Sequence, residues 1–351
     1  MEPQHTRSEM SKIALFFCLF LATYYQGIHA SGNFEDFQNE KIVVATTRFQ
    51  FDQFPDAFNP SIIKVPQGFL LTFRYCPDRN ENPWLAYVGV VFLNDALEQI
   101  SEPVLLNTRA KNSKTPSQVE DARVFSYKGR LFLIYNDNID LTSPMTWDRR
   151  DMFMAELTYV DNQFKLSSPL KLVYEAKYHT AMWQKNWVPF EWNNMLLMTY
   201  SINPHEILYP NLMNGSCYHC YDTWMDIDWK WGKLRGSTPP LLVDGEYLAF
   251  FHSGTVTSSR ASWGWELWHY FMGAYTFSAE PPFKITKISP HPIVAEDFYT
   301  QSAREKRVVF PGGFAVSGPY IYMAYGKDDY EIWVATIDKD ALKKSLVPTE
   351  K

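Results

Sequence analysis

The sequence predicts an all-β fold, a five-bladed β-propeller in a single domain, and three observations lead to this prediction. After the first 40 residues strand signals dominate, and few windows keep the 3.6-residue period of a helix. A pattern of strand, tight turn and strand recurs five times. The 351 residues are 46% hydrophobic and 17% aromatic, which suits a large core and favours strands. A β-sandwich of similar hairpins is the alternative fold.

The first 30 residues have the pattern of a signal peptide. Arg7 and Lys12 precede an apolar run at residues 13–25, and Ala30 is a small residue at a plausible cleavage position. This run is too short to span a bilayer comfortably, and no later run reaches the roughly 18 residues needed. We therefore expect export to the periplasm or the extracellular space, with no stable membrane span after the leader is removed. An uncleaved N-terminal anchor is the alternative.

Residues 31–40 are expected to form a spacer, and the propeller is expected to cover residues 41–345. Residues 41–46 would add an outer strand to the last blade and so close the ring. Each repeat contains two strands joined by a Gly or Asn-Asn turn, and most have a third strand. The hairpins are predicted at residues 58–75, 120–135, 186–200, 236–252 and 307–325, with third strands at 85–92, 151–159, 270–277 and 331–337. Residues 338–345 favour a short helix, and residues 346–351 form a C-terminal tail.

Charge and cysteine content exclude some classes of function. The net charge of −6 gives no global basic surface for phosphate backbones, so no nucleic-acid partner is expected, although a local basic pocket stays possible. Without Cys18 of the leader, three cysteines remain, too few for a disulfide framework. Cys217 and Cys220 could form a local disulfide or half of a metal site. No second pair completes a tetrahedral set, so no metal is predicted. The sequence permits an oligomer without defining one.

Polar residues recur just before the predicted hairpins. The innermost strand of a propeller blade starts near the central axis, so these residues should line one pocket. They are Asn59, Glu120, Asp121, Arg123, Lys185, Asn186, Arg235, Gly236 and residues 310–313. Others lie at or after the ends of second strands: Arg74, His205, Glu206 and His252. Because neighbouring strand residues alternate in direction, Glu120 and Asp121 should face opposite sides, one toward the pocket and one bracing the loop.

Together these short motifs resemble those of glycoside hydrolase family 130. They are Asn59-Pro60 with Phe73-Arg74, Glu120-Asp121-Ala122-Arg123, Lys185-Asn186-Trp187, and residues 236–240, 251–254, 272–274 and 309–313. The resemblance extends from about residue 56 to residue 338. It implies a five-bladed propeller that acts on β-mannosides. Most such enzymes are phosphorylases, and some are β-1,2-mannosidases or mannosyltransferases.

The resemblance also implies a role for each matched residue in an inverting reaction. Asp121 would be the catalytic acid, and Lys185 and His252 would hold the attacking phosphate. The substrate-binding residues would be Asn59, Arg74, Glu120, Arg123 and Asn186, with Glu120 bracing the loop. No cofactor is implied, only inorganic phosphate as co-substrate. The partner would be a mannose-containing oligosaccharide or glycan, and phosphorolysis would release mannose 1-phosphate.

Two departures from the family pattern leave alternatives open. Ala122 stands where the motif has proline, and a further phosphate-binding arginine does not align, with Arg149 and Arg150 as candidates. An exported β-mannosidase would use water and a second carboxylate as base, for which Glu191 and Glu206 are the candidates. A non-catalytic glycan-binding propeller is the other alternative. Two roles are open for Trp183, Trp187 and the tryptophans of residues 263–268: they could stack on sugars, or they could pack between blades.

Overall fold

A computed structural model describes residues 34–80, 84–109, 116–138, 149–178 and 183–349. Its strands form five separate sheets, which confirms the all-β, five-bladed prediction. The predicted signal peptide, residues 1–30, lies outside the described residues. Within them, no helix has the length and apolar character needed to cross a membrane.

Blades 1 to 3 follow the predicted hairpins in chain order. Strand β1 (Val43–Phe49) precedes them. Blade 1 contains β2 (Phe58–Val65), β3 (Gly68–Tyr75), β4 (Tyr87–Leu93) and β5 (Val104–Leu106). Blade 2 contains β6 (Glu120–Tyr127), β7 (Arg130–Asp137), β8 (Asp151–Val160), β9 (Gln163–Leu166) and β10 (Leu170–Leu172), and helix α1 (Glu175–Tyr178) follows. Blade 3 contains β11 (Val188–Trp192), β12 (Met195–Ile202), β13 (His205–Pro210) and β14 (Cys217–Thr223).

Blades 4 and 5 complete the ring. Blade 4 contains β15 (Arg235–Gly236), β16 (Leu241–Val243), β17 (Glu246–Thr257), β18 (Leu267–Ser278), β19 (Ile285–Ile288) and β20 (Lys306–Arg307). Blade 5 contains β21 (Val309–Ser317), β22 (Tyr320–Lys327) and β23 (Glu331–Asp338). The outer strand of blade 5 is β1, which pairs antiparallel with β23, so the predicted closure by an N-terminal strand is confirmed.

The chain on either side of the propeller is more structured than a spacer and a tail. Phe34–Glu40 is a 3-10 helix whose Phe34 ring packs 4.9 Å from Phe271 of blade 4. The predicted C-terminal helix is present as α2 (Lys339–Ser345), and the Asp338 carboxylate caps it by accepting from the Ala341 amide. Beyond it, β24 (Val347–Pro348) pairs with β19 of blade 4.

Inner strands crowd together at the centre of the ring. A Cβ on Gly312 of blade 5 would lie 2.0 Å from the Pro60 carbonyl oxygen of blade 1, and one on Gly236 of blade 4 would lie 2.6 Å from the Asn186 oxygen of blade 3. Only glycine allows backbones this close. Farther out, apolar side chains fill the space between neighbouring blades, for example Leu70 of blade 1 with the blade 2 cluster. This packing holds the polar starts of the inner strands at fixed positions.

Candidate active site

Three residues at the starts of inner strands share an unusual backbone. Asn59, Asp121 and Asn186 have φ angles of 46°, 52° and 66°, in the left-handed region that asparagine and aspartate tolerate best among residues other than glycine. Asn59 and Asp121 lie within β-bulges, where the register of the hairpin shifts. A bulge redirects a side chain out of the normal alternation of a strand. Blades 1 to 3 therefore each direct one amide or carboxylate side chain toward the centre of the ring.

The Asp121 carboxylate meets two residues of blade 1. Its Oδ1 accepts a hydrogen bond of 2.9 Å from Asn59 Nδ2 and lies 3.7 Å from Arg74 Nη1. Among the described residues both polar contacts of this carboxylate use Oδ1, which leaves Oδ2 available to a ligand. The prediction that Glu120 and Asp121 face opposite sides is wrong, because Arg74 Nη2 also lies 3.4 Å from Glu120 Oε1. The bulge between Glu120 and Arg123 removes the expected alternation.

Glu120 is buried at the centre of a cation cluster. Lys185 donates to its Oε2, Asn136 donates to the same oxygen at 3.0 Å, and Arg150 Nε lies 3.8 Å from Oε1. Burial opposes ionisation of this carboxyl, but the charges of Arg74, Lys185 and Arg150 outweigh burial and lower its pKa to about 2. Glu120 is therefore an ionised brace that positions cations from blades 1, 2 and 3.

Arg123 joins blades 2, 3 and 4 at the axis. Its guanidinium is fully buried and donates to the backbone oxygens of Asp121, at 2.9 Å, and Ser237, and to Asn186 Oδ1 at 3.1 Å. Burial lowers the pKa of Arg123 to about 10, although Asp121 acts in the opposite direction. The side chain stays charged at neutral pH and fixes the backbone on both sides of the centre.

His252 lies at the same level on β17. Its Nδ1 is 2.6 Å from the Ser237 hydroxyl, and its ring packs against Phe310 with centroids 4.8 Å apart. Burial, together with the charges of Arg235 and Arg123, lowers the pKa of His252 well below its ordinary value. In the free protein this imidazole is neutral, so it would contact an anion as a hydrogen-bonding group and not as a cation.

The two arginine candidates differ in direction. Arg150 extends toward Glu120 and lies over the Trp84 ring at 5.7 Å. Arg149 instead pairs with Asp151 at 3.1 Å, within blade 2. The structure thus brings Arg150, and not Arg149, to the cation cluster with Lys185.

Several candidates lie outside this centre. His205 is buried between Phe283 and Thr199, with Nδ1 2.7 Å from the Phe283 carbonyl oxygen, so it belongs to the core. Glu191 accepts from the amide of Lys128, which follows the last residue of β6 and is therefore roughly 20 Å from Asp121 at the start of that strand.

Two more candidates are occupied by packing or pairing. Glu206 accepts from Tyr174 and Lys177, each at 2.8 Å. Trp187 is buried and packs against Tyr200, so the packing alternative holds for it.

A cavity of about 310 Å³ adjoins Arg74 on the blade 1 and blade 5 side. Its lining includes Phe58, Trp84 and Tyr330, which offer apolar faces, and the Lys306–Asp329 ion pair. Sequence reasoning missed Trp84, Asp329, Lys306, Ser237 and Asn136. Asp328-Asp329 follows the second strand of blade 5, β22, and Asn136-Asp137 ends the second strand of blade 2, β7. This correspondence between repeats could have identified Asp329 and Asn136 as candidates. Among the described residues, no group of three or more His, Cys, Asp or Glu side chains could hold a metal, and Cys217 and Cys220 are free thiols.

Comparisons with known proteins agree with this fold. A family model for glycoside hydrolase family 130, described as beta-1,4-mannooligosaccharide phosphorylase, matches residues 30–346. No curated protein matches the chain.

Solved structures are similar at low identity. A putative glycoside hydrolase from Bacteroides ovatus is 17% identical with a TM-score of 0.60, covering 82% of this chain and 88% of its own. A β-1,2-mannobiose phosphorylase from Listeria innocua is 16% identical with a TM-score of 0.58, over 83% and 92%. A mannose phosphorylase from Leishmania mexicana is 11% identical with a TM-score of 0.55, over 89% and 93%. At these identities the likeness establishes the fold.

Proposed function

The chain belongs to glycoside hydrolase family 130, and on this basis we propose that it is an inverting phosphorylase of β-mannosides. Members of the family are glycoside phosphorylases and hydrolases, so the chain is a carbohydrate-active enzyme. The proposed substrate is a mannose-containing oligosaccharide, and the proposed product is mannose 1-phosphate. The similar Listeria innocua structure is of a phosphorylase that contains its mannobiose substrate.

Asp121 is the proposed acid. Asn59 and Arg74 hold its Oδ1, so the carboxyl has a fixed orientation and Oδ2 can reach the substrate. Its proton passes to the glycosidic oxygen, which in phosphorylases of this family occurs through a substrate hydroxyl. The bond from C1 to that oxygen breaks, and the leaving sugar departs with the proton. A phosphate oxygen bonds to C1 from the opposite face, which inverts the anomeric configuration.

An excess of positive charge around the two central carboxylates is the observation that carries the choice of phosphate. Glu120 and Asp121 are flanked by four cationic side chains, Arg74, Arg123, Arg150 and Lys185. A phosphate dianion would offset most of this positive charge while Asp121 carries the proton that it donates, and cations beside the carboxylic acid would stabilise the transition state. Lys185 and Arg150 are the proposed phosphate-binding cations. His252 and Arg235 extend the site on blade 4.

Hydrolysis would instead need a second carboxylate as general base, about 6.5–9.5 Å from the acid in an inverting site. Glu120 is a weak base because its pKa is about 2. Glu191 lies near the far end of the inner strands, and Glu206 is paired with Lys177 and Tyr174. Asp329, which lines the cavity beside Arg74, is paired with Lys306. These contacts favour phosphate over water as the nucleophile.

The test is to incubate the protein with β-linked mannooligosaccharides in the presence and absence of inorganic phosphate. Mannose 1-phosphate that forms only with phosphate supports the proposal. Free mannose released at the same rate without phosphate would establish the β-mannosidase alternative. Sugar binding without turnover would establish a glycan-binding propeller.

We further propose that residues 1–30 export the chain, because two basic residues precede a short apolar run there. N-terminal sequencing of the protein recovered from the periplasm or medium tests this. A mature chain beginning close to residue 31 is expected. An intact Met1 in a cytosolic fraction would contradict export.

A further inference from the structure

The hairpin of β17 and β18 extends past the level of the active site. Both strands have 12 residues, and His252 lies midway along β17. Five more residues of β17 and the loop 258–266 therefore extend beyond the level of His252. This part of the hairpin displays three tryptophans, Trp263, Trp265 and Trp268, with exposed fractions of 55%, 71% and 39%. These rings do not fill a space between blades, unlike Trp187. We call them the indole platform.

A continuous row of rings connects the platform with the site centre. Phe310 lies beneath Arg123, and its centroid is 4.8 Å from that of His252. From His252 to Tyr270 the centroids are 5.9 Å apart, and from Tyr270 to Trp268 they are 6.3 Å apart. In the parallel pairing of β18 with β20, Trp268 lies opposite Lys306, a residue that lines the cavity beside Arg74. Trp268 is therefore continuous with the site, and Trp263 and Trp265 lie on the loop 258–266 that leads into its strand.

The position of the Trp268 indole depends on a glycine. A Cβ on Gly254 would lie 2.9 Å from Trp268 Nε1 and 3.3 Å from Cε2. The Trp268 ring thus packs directly on the backbone of β17 at Gly254, where any other residue would place a side chain in contact with the indole. Its outer neighbour, Val256, is half exposed, so the apolar surface continues toward the hairpin tip.

The loop that presents the other two indoles is held by hydrogen bonds. Ser262 donates to the Trp265 carbonyl oxygen at 2.6 Å, and the Ser259 hydroxyl lies 2.9 Å from His269 Nε2. Trp263 has a φ of 52°, which is unfavourable for a bulky side chain and persists only where the surroundings enforce it. An exposed aromatic surface on a fixed loop loses little conformational entropy when a ligand binds.

We propose that the indole platform binds the sugar units that lie beyond the cleaved bond, so that the substrate is an oligosaccharide chain longer than two units. This inference rests on the proposed function of the same site. The C–H faces of pyranose rings can cover the apolar faces of the indoles. At their exposed fractions, the three tryptophan residues leave about 400 Å² accessible, about half of what each side of a stable protein interface needs. A carbohydrate chain leading out of the cavity is an occupant of suitable size.

The experiment compares the double variant W265A/W268A with the wild type on linear β-linked mannooligosaccharides of two to six units. Trp224→Ala is the matched control, because Trp224 is 68% exposed but follows β14 of blade 3. We expect kcat/KM on the longest substrate to fall by about 10-fold or more while the disaccharide changes by less than about twofold. The control should change neither value. An equal loss of kcat/KM at every substrate length, or no loss at any length, would overturn the proposal that the platform binds the distal sugar units.

A binding measurement separates failure of this inference from failure of the proposed function. If the wild type turns over no mannoside, the proposed function fails, and the platform is then tested by calorimetric titration with the two-unit and six-unit oligosaccharides. Tighter binding of the longer oligosaccharide by the wild type, lost in W265A/W268A and kept in Trp224→Ala, supports the platform. Equal affinity for both lengths in the wild type would refute it.

Discussion

At the scale of single residues, Asp121 has a fixed orientation, and its Oδ2 makes no polar contact with the part of the chain that the structure describes. Because asparagine keeps an oxygen that can accept from Asn59, Asp121→Asn should preserve the fold while removing the transferable proton. We expect kcat to fall by about 10²–10⁴-fold. Asp95→Asn is the control, since Asp95 is an exposed carboxylate paired with Lys64. Turnover by Asp121→Asn at the wild-type rate would refute the assignment of the acid.

Lys185 should act mainly on phosphate. Removing its charge with Lys185→Met takes away one charge-assisted hydrogen bond, so the KM for phosphate should rise by about 10- to 100-fold. The KM for the mannoside should change much less. Lys64→Met, on the rim of blade 1, serves as the control. Equal increases in both KM values would show that Lys185 is not a phosphate ligand.

Glu120 should contribute to stability in a pH-dependent way. Its folded-state pKa of about 2 is below its ordinary value of 4.5, so its contribution is complete above about pH 4.5 and is lost as pH falls through about 2. Glu120→Gln leaves buried cations without their partner and should cost about 3 kcal/mol at pH 7. Urea unfolding from pH 7 to pH 2.5 should show the difference from wild type narrowing below pH 4.5. A difference independent of pH would contradict this account.

At the scale of elements, the bulge at Asp121 explains why alanine can replace the motif's proline. Ala122 has no cross-strand partner in the register of β6 and β7, and Pro60 occupies the corresponding bulge of blade 1. Ala122→Pro should therefore be tolerated and raise stability by about 0.4–1 kcal/mol, because it restricts the unfolded chain. Thermal unfolding checks this. Tyr127→Pro, at the hydrogen-bonded position that closes the hairpin opposite Arg130, should be destabilising beyond the loss of the side chain, which Tyr127→Ala measures. The reverse order would contradict the bulge argument.

The bulge in β6 also separates what could be predicted from the sequence from what could not. Hairpins, helix α2 and the closing strand β1 could be predicted, because residue alternation, turn residues and an N-cap are local signals. The directions of Glu120 and Asp121 could not, because a bulge depends on how the next blade packs and leaves no pattern of its own. Arg149 and Arg150 are likewise indistinguishable in sequence. Arg149 pairs with Asp151, its neighbour in sequence, whereas Arg150 extends toward Glu120, which only the folded blade brings near it.

At the scale of the whole molecule, the ring is closed by pairing between its two ends. Strand β1 covers the edge of blade 5, and Arg48 adds an ion pair of 3.1 Å to Glu331. A chain that begins at residue 50 should lose this strand and expose an unpaired edge. We expect its Tm to fall by about 10 °C or more relative to a chain that begins at residue 34. Equal Tm values would mean that closure contributes little.

The central claim joins these scales: the ring brings Asp121 of blade 2 and cations from several blades to one place, where phosphate attacks a β-mannoside. Phosphorus NMR of one reaction containing the protein, a β-linked mannooligosaccharide and inorganic phosphate tests this most directly. The account predicts that inorganic phosphate is consumed and α-mannose 1-phosphate accumulates, and that neither occurs with Asp121→Asn. Cleavage of the oligosaccharide with no loss of inorganic phosphate, or formation of the β anomer, would contradict it.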